Sequence, residues 1–101
     1  MFPAGVPDHF EREYGCSEAE WRGWLPAATH PRTLESAGPY ALRVGFDDGA
    51  LALDWLPLPP REIALLRLPR LRVRFRFDGV SEQDRQTFMR SFDRHLQRGG
   101  G

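Results

Sequence analysis

Between Arg70 and Phe77 the chain alternates without interruption: Arg70, Arg72, Arg74 and Arg76 on one phase, Leu71, Val73, Phe75 and Phe77 on the other. Arginine is permanently charged, and its planar fork of donors matches two carboxylate or phosphate oxygens at once. Successive side chains of an extended strand point to opposite faces, with same-face neighbours about 6.6–6.8 Å apart. The spacing therefore predicts four guanidinium groups on one side of a half-exposed strand. That is chemistry for recognising anions and does nothing to break bonds. Arg43, on a neighbouring hairpin, is expected to extend the same face. Arg43, Arg70, Arg72, Arg74 and Arg76 are thus the candidate binding residues. The same stripe is also what a solvated sheet face or a protected strand edge requires. A third reading pairs it with the acidic N-terminal segment, within the chain or across a homodimer.

Catalytic groups are sparse. His9, His30 and His95 are widely separated, and Cys16 is the single cysteine. No HxxxH or CxxC spacing suggests a metal, and no cofactor is implied. Cys16 precedes a helix start, where a thiolate can be stabilised, but nucleophilic catalysis also needs an oriented base, and none is in evidence. Asp93 and His95 lie two apart on a helix and do not share a face. No glycine-rich loop joins a strand to a helix. No catalytic residue is assigned, and the sequence points away from an enzyme. The alternative is a small ligand-binding or enzymatic domain with a pocket between the sheet and the proline-rich loops, around Trp24, His30, Trp55 and Arg61.

Charge bounds the partners. The 101 residues carry 14 arginines, no lysine and 14 acids, so the formal charge is zero. That excludes attraction of the whole surface to nucleic acid or anionic lipid. The neutrality is a sum of opposed blocks: −3 over residues 1–30, −2 over 31–60, +5 over 61–76 and zero over 77–101. An acidic protein is therefore the expected partner of the arginine face. Nucleic acid is a weaker, second alternative, because Phe75 and Phe77 share the inward phase and leave no aromatic stacking platform.

The elements that must position these residues can be read in part. Residues 1–16 read as an irregular arm, and the start lacks the basic and apolar regions of a signal peptide. Ser17 with Glu20 forms a capping box that opens a short helix, its Trp21, Trp24 and Leu25 on one face and Pro26 as its stop. Residues 26–40, with three prolines, read as a loop. Leu42, Val44 and Phe46, then Leu51, Leu53 and Trp55, alternate on either side of Asp48-Gly49, the signature of a tight hairpin. A turn centred there sets Phe46 opposite Leu51, Val44 opposite Leu53, Leu42 opposite Trp55 and Arg43 opposite Asp54. Leu56-Pro57-Leu58-Pro59-Pro60 reads as a stiff connector, since proline removes ladder donors. Residues 63–68 read as a short strand or as the lead-in to the next. Ser81 and Asp84 open a last helix with Phe88, Met89, Phe92 and Leu96 on one stripe, and Gly99 to Gly101 as a frayed tail.

The fold class expected is α+β: one domain over residues 1–101, with an antiparallel sheet of three or four strands and a helix at each end packed on one face, in the order α-β-β-(β)-β-α. No apolar run approaches membrane-spanning length, no membrane is expected as a partner, and a cytoplasmic location is the default. The functional expectation is a non-catalytic interaction module that docks an acidic protein surface through its arginine-lined sheet face.

Overall fold

A computed structural model describes residues 5–98 and orders them as β1 (His9–Tyr14), α1 (Glu18–Thr29), β2 (Leu34–Gly38), β3 (Ala41–Gly45), β4 (Ala50–Ile63), β5 (Leu66–Asp78) and α2 (Glu82–Arg98). The five strands form one antiparallel sheet in the order β1-β5-β4-β3-β2. The expectation of three or four strands led by a helix is corrected: there are five, and a strand comes first. The expected tail at 99–101 and the first four residues of the expected arm lie outside the described residues.

The two missed strands are the sheet's edges. In β1, Phe10, Arg12 and Tyr14 face inward, while His9, Glu11 and Glu13 face solvent. The alternation is genuine, but an arginine on the inward phase disguises it. Arg12 tolerates that place because its guanidinium pairs with Asp93 of α2 and lies over the rings of Phe10 and Phe75. Strand β2 falls inside the expected loop. It is short, exposed along most of its length and bulged between Ser36 and Gly38, so it carries no apolar periodicity to read.

Both helices cover the same face of the sheet. Trp21 of α1 meets the rings of Trp55 on β4 and Phe92 on α2, and Phe92 meets Phe75 on β5. Leu51, Leu53, Leu71, Val73 and Phe75 are fully buried beneath them. The capping box is present: Ser17 accepts from the Glu20 amide and Glu20 accepts from the Ser17 amide. Helix α1 continues past Pro26 to Thr29, where the sequence suggests a stop. Pro26 is solvent-facing, so the Arg22 carbonyl that loses its donor sits on the wet side of the helix, where water can serve it. Ser81 caps α2 by accepting from the Asp84 amide.

The β3–β4 hairpin turns one residue earlier than its Asp-Gly pair suggests. Phe46 donates to the Gly49 carbonyl, so Asp47 and Asp48 are the central residues, and neither has positive φ. The register is Val44↔Leu51, Leu42↔Leu53 and Ala41↔Asp54, two residues from the expected one. A shift of two keeps every side chain on its expected face but changes its partners. Gly49 is needed for close approach: a Cβ there would lie 2.0 Å from the Asp78 carbonyl oxygen.

The connector expected at residues 56–60 is instead strand. Strands β4 and β5 pair from Ala50↔Asp78 to Ile63↔Leu66, whereas β3 pairs with β4 only as far as Asp54 and β1 with β5 only as far as Leu71. Residues 56–70 therefore project as a two-stranded ribbon, along a molecule 47 Å in its longest dimension. Strand parity explains how the prolines are accommodated. The Trp55 amide donates toward β3, to the Tyr40 carbonyl. Pro57 and Pro59 share that parity, so their missing N–H groups fall on the side where β3 has ended. The Phe77 amide donates toward β1, to Asp8; Pro69 shares its parity and lies beyond the end of β1. Pro60 occupies the bulge between Leu58 and Arg61. No proline removes a bond between the two ribbon strands, and three of them block the ribbon's edges against a further strand.

Candidate docking face

No described element covers the face of the sheet opposite the helices. Cross-strand register sets its rows: His9, Arg76, Ala52 and Arg43 form one, Glu11, Arg74 and Asp54 the next, and Glu13, Arg72 and Leu56 a third. Arg72, Arg74 and Arg76 are exposed, as is Arg43, while Arg70 is half-buried at the base of the ribbon. Placing β1 in the sheet puts its acids among the arginines: the intrachain pairing with the acidic N-terminal segment that the sequence allowed is made by a strand, not by an irregular arm.

Most of the arginines are engaged within the chain. Arg74 Nε donates to Asp54 Oδ1 at 2.8 Å, and Arg76 lies 3.6 Å from Asp54 Oδ2. The hydrogen bond to Asp54 holds the Arg74 guanidinium above its ordinary pKa, with the charge of Asp54 adding to it. Arg70 Nη1 donates to Glu13 at 3.3 Å and its Nε to the Pro59 carbonyl at 3.1 Å. Arg43 pairs with Glu35 at 3.1 Å, not with Asp54, because of the register shift. Arg72 differs. Its cross-strand neighbour Glu13 turns its carboxylate to Arg70 and Arg61, and Arg72 makes no ion pair or hydrogen bond among the described residues. Arg72 and Arg74 border a shallow depression of about 360 Å³ with Glu11, Asp54, Trp55 and Leu56.

The residues of the expected pocket fall on two sides of the sheet. Trp55 is buried on the helix side, its Nε1 donating to Glu18 at 3.1 Å with the Arg22 guanidinium 5.0 Å from its ring. The bonds from Arg22, and then Trp55, pull the Glu18 carboxyl below its usual pKa. Trp24 is half-buried on α1 and His30 is exposed just after it. Arg61 lies on the ribbon, on the open side, 4.0 Å from Glu13.

Nucleophiles are held neutral. Burial pushes the Cys16 thiol up to about 11, with the charge of Glu20 adding to it, and pushes the Tyr14 hydroxyl up to about 12 against the opposing pull of Arg12. No group of three or more His, Cys, Asp or Glu among the described residues could hold a metal ion. No helix among them is long and apolar enough to cross a membrane. What the face can do is present guanidinium donors, ordered by neighbouring carboxylates, around a small apolar patch at Leu56. The contribution of Glu11 and Glu13 was legible in the His9–Tyr14 alternation. The exposed apolar ribbon was hidden by its prolines. No protein-family model and no curated protein matches the chain.

Proposed function

We propose that the chain is a non-catalytic interaction domain that docks an acidic protein surface on its open sheet face, centred on Arg72 and Arg74. The observation that carries this reading is Arg72, exposed and without an ion-pair or hydrogen-bond partner among the described residues, beside the apolar Leu56 and the Asp54-anchored Arg74. A partner carboxylate can take the Arg72 fork directly and exchange with Asp54 for Arg74. The intrachain acids also account for specificity, since they reject a partner that brings no replacement charge at the right spacing. Nucleic acid fits less well: the aromatic rings of β5 are buried, and the acids of β1 interrupt the basic track. The test is affinity capture from native extract with the wild-type chain and an Arg72→Ala/Arg74→Ala double variant, at low and high salt. A partner retained by wild type, weakened by salt and lost with the double variant supports the reading. Equal retention by both chains contradicts it.

A further inference from the structure

The far end of the ribbon has a composition unlike the rest of the surface. Ile63, Ala64, Leu65 and Leu66 are consecutive at the β4–β5 turn. Leu65 is 99% exposed, Leu66 61%, Ile63 51% and Leu68 41%, so exposure of apolar surface peaks at the tip. Immediately behind it stand Arg61 and Arg67, both well exposed, with Arg70 at the base. The acids of this region are already engaged: Glu62 lies 3.9 Å from Arg67, and Glu13 bridges Arg61 and Arg70. At the other end of β4 and β5, the β3–β4 turn and the start of α2 carry Asp47, Asp48, Asp78, Glu82 and Asp84. The charge asymmetry of the sequence is thus laid out along the strands, running from an acidic end to an apolar cap with a basic collar.

The shape of the cap selects its occupant. It is convex, apolar through the whole turn, and borne on a ribbon whose edges are closed to strand addition by Pro57, Pro59 and Pro69. The apolar turn is two residues deep on each strand, about 7 Å, which matches the roughly 5–10 Å that interfacial elements bury at the headgroup–acyl boundary. Collar arginines at that depth meet lipid phosphates, which guanidinium groups bind bidentately. Ala64 at the turn has φ 55, the left-handed region that favours glycine, so the tip carries a methyl group at a position where Gly would fit with less strain. Zero net charge opposes attraction of the whole surface to anionic lipid, but the collar keeps a local excess of arginine over its two acids, Glu13 and Glu62, while five further acids lie at the far end.

We propose that the β4–β5 tip inserts into the interfacial layer of an anionic lipid bilayer, with Leu65 and Leu66 at the acyl boundary and Arg61 and Arg67 on the phosphates. This contact is separate from the docking face and stands or falls independently of it. The experiment is flotation of the wild-type chain with phosphatidylcholine vesicles, with and without phosphatidylglycerol, alongside Leu65→Asp and Arg72→Ala/Arg74→Ala. Leu65 touches almost nothing, so Leu65→Asp preserves the fold, checked by its unchanged urea midpoint. Expected are flotation with the mixed vesicles, little with phosphatidylcholine alone, and binding at least roughly tenfold weaker in Leu65→Asp. Arg72→Ala/Arg74→Ala keeps most of the binding. No flotation of the wild type, or equal flotation of Leu65→Asp, overturns the proposal. So does a wild-type dimer, indifferent to vesicles, that Leu65→Asp converts to monomer, because the tip would then serve contact between copies.

Discussion

Replacing Arg12 by alanine removes the group that ties the edge strand β1 to α2. The guanidinium is bidentate on Asp93, through Nη1 to Oδ1 and through Nη2 to Oδ2 at 3.2 Å, and sits 5.5 Å and 5.8 Å from the ring centroids of Phe10 and Phe75. The Arg12 and Asp93 side chains are 22% and 31% exposed, so the pair is neither fully screened nor fully desolvated. An exposed pair contributes about 0–1 kcal/mol, and breaking a buried one by removing one partner costs about 3–5 kcal/mol. Arg12→Ala falls between these limits, at about 1.5–3 kcal/mol, since the loss of the stem packed on two rings adds to the loss of the pair. At about 4–8 °C per kcal/mol for a domain of this size, the thermal midpoint drops by roughly 6–24 °C. The assay is urea unfolding of Arg12→Ala, Asp93→Ala and the double variant. A coupling energy of about 1 kcal/mol or more is expected. A value below about 0.5 kcal/mol, within the error of additivity, refutes the reasoning and leaves β1 held by its ladder and by the ring contacts of Phe10 and Tyr14.

Gly49→Ala is expected to destabilise by about 2–4 kcal/mol in urea unfolding, because the new Cβ has Asp78 and Gly79 backbone within 3 Å and no flexible side chain to displace; a loss below about 0.5 kcal/mol contradicts that close approach. Ala64→Gly relieves the positive φ at the ribbon turn and slows amide exchange at the tip by a factor corresponding to about 0.5–1 kcal/mol; faster exchange would show that Ala64 is not strained. Cys16 stays unreactive toward a thiol reagent at neutral pH until the chain unfolds, whereas rapid native labelling would show the thiol to be accessible. The folded pKa values of Cys16 and Tyr14, about 11 and about 12, lie above the ordinary 9.0 and 10.0, so the native state binds more protons than the unfolded one between those limits. Stability is therefore fully present below pH 9 and falls as pH rises toward 12, which alkaline urea titrations detect; a flat response contradicts the burial of both groups. Arg74→Ala leaves the urea midpoint close to that of wild type, since its bond to Asp54 is solvent-exposed, and this keeps loss of binding separable from loss of fold; a large drop in midpoint would contradict it.

The centre of the fold was legible in the sequence and its margins were not. Strand β5 announces itself because over residues 70–77 one face is wholly apolar and the other wholly arginine, and α2 because its stripe and its cap agree. Strand β1 obeys the same period, but Arg12 on its inward phase needs Asp93, some eighty residues away, before it reads as a core position. The ribbon misleads for a related reason. Proline is forbidden in a strand only where its nitrogen faces a neighbour, and whether Pro57, Pro59 and Pro69 face one depends on where β1 and β3 stop. The hairpin register depended on Gly49, whose purpose is to admit the Asp78–Gly79 backbone, not to supply positive φ. The arginines of the candidate face were readable one by one. Pairing of the stripe with the acidic N-terminal segment could be raised from the sequence, but which arginine Glu13 or Asp54 takes could not, since that follows from strand order and register.

Arginine footprinting with phenylglyoxal, read by mass spectrometry on the chain alone and bound to its captured partner, tests the docking face most directly. Arg72, Arg74 and Arg76 are expected to be protected in the complex, while Arg90 and Arg94, exposed on α2 at the opposite side of the sheet, react unchanged. Protection confined to Arg90 and Arg94, or no protection on β5, would place the partner on the helices and contradict an open-face docking domain.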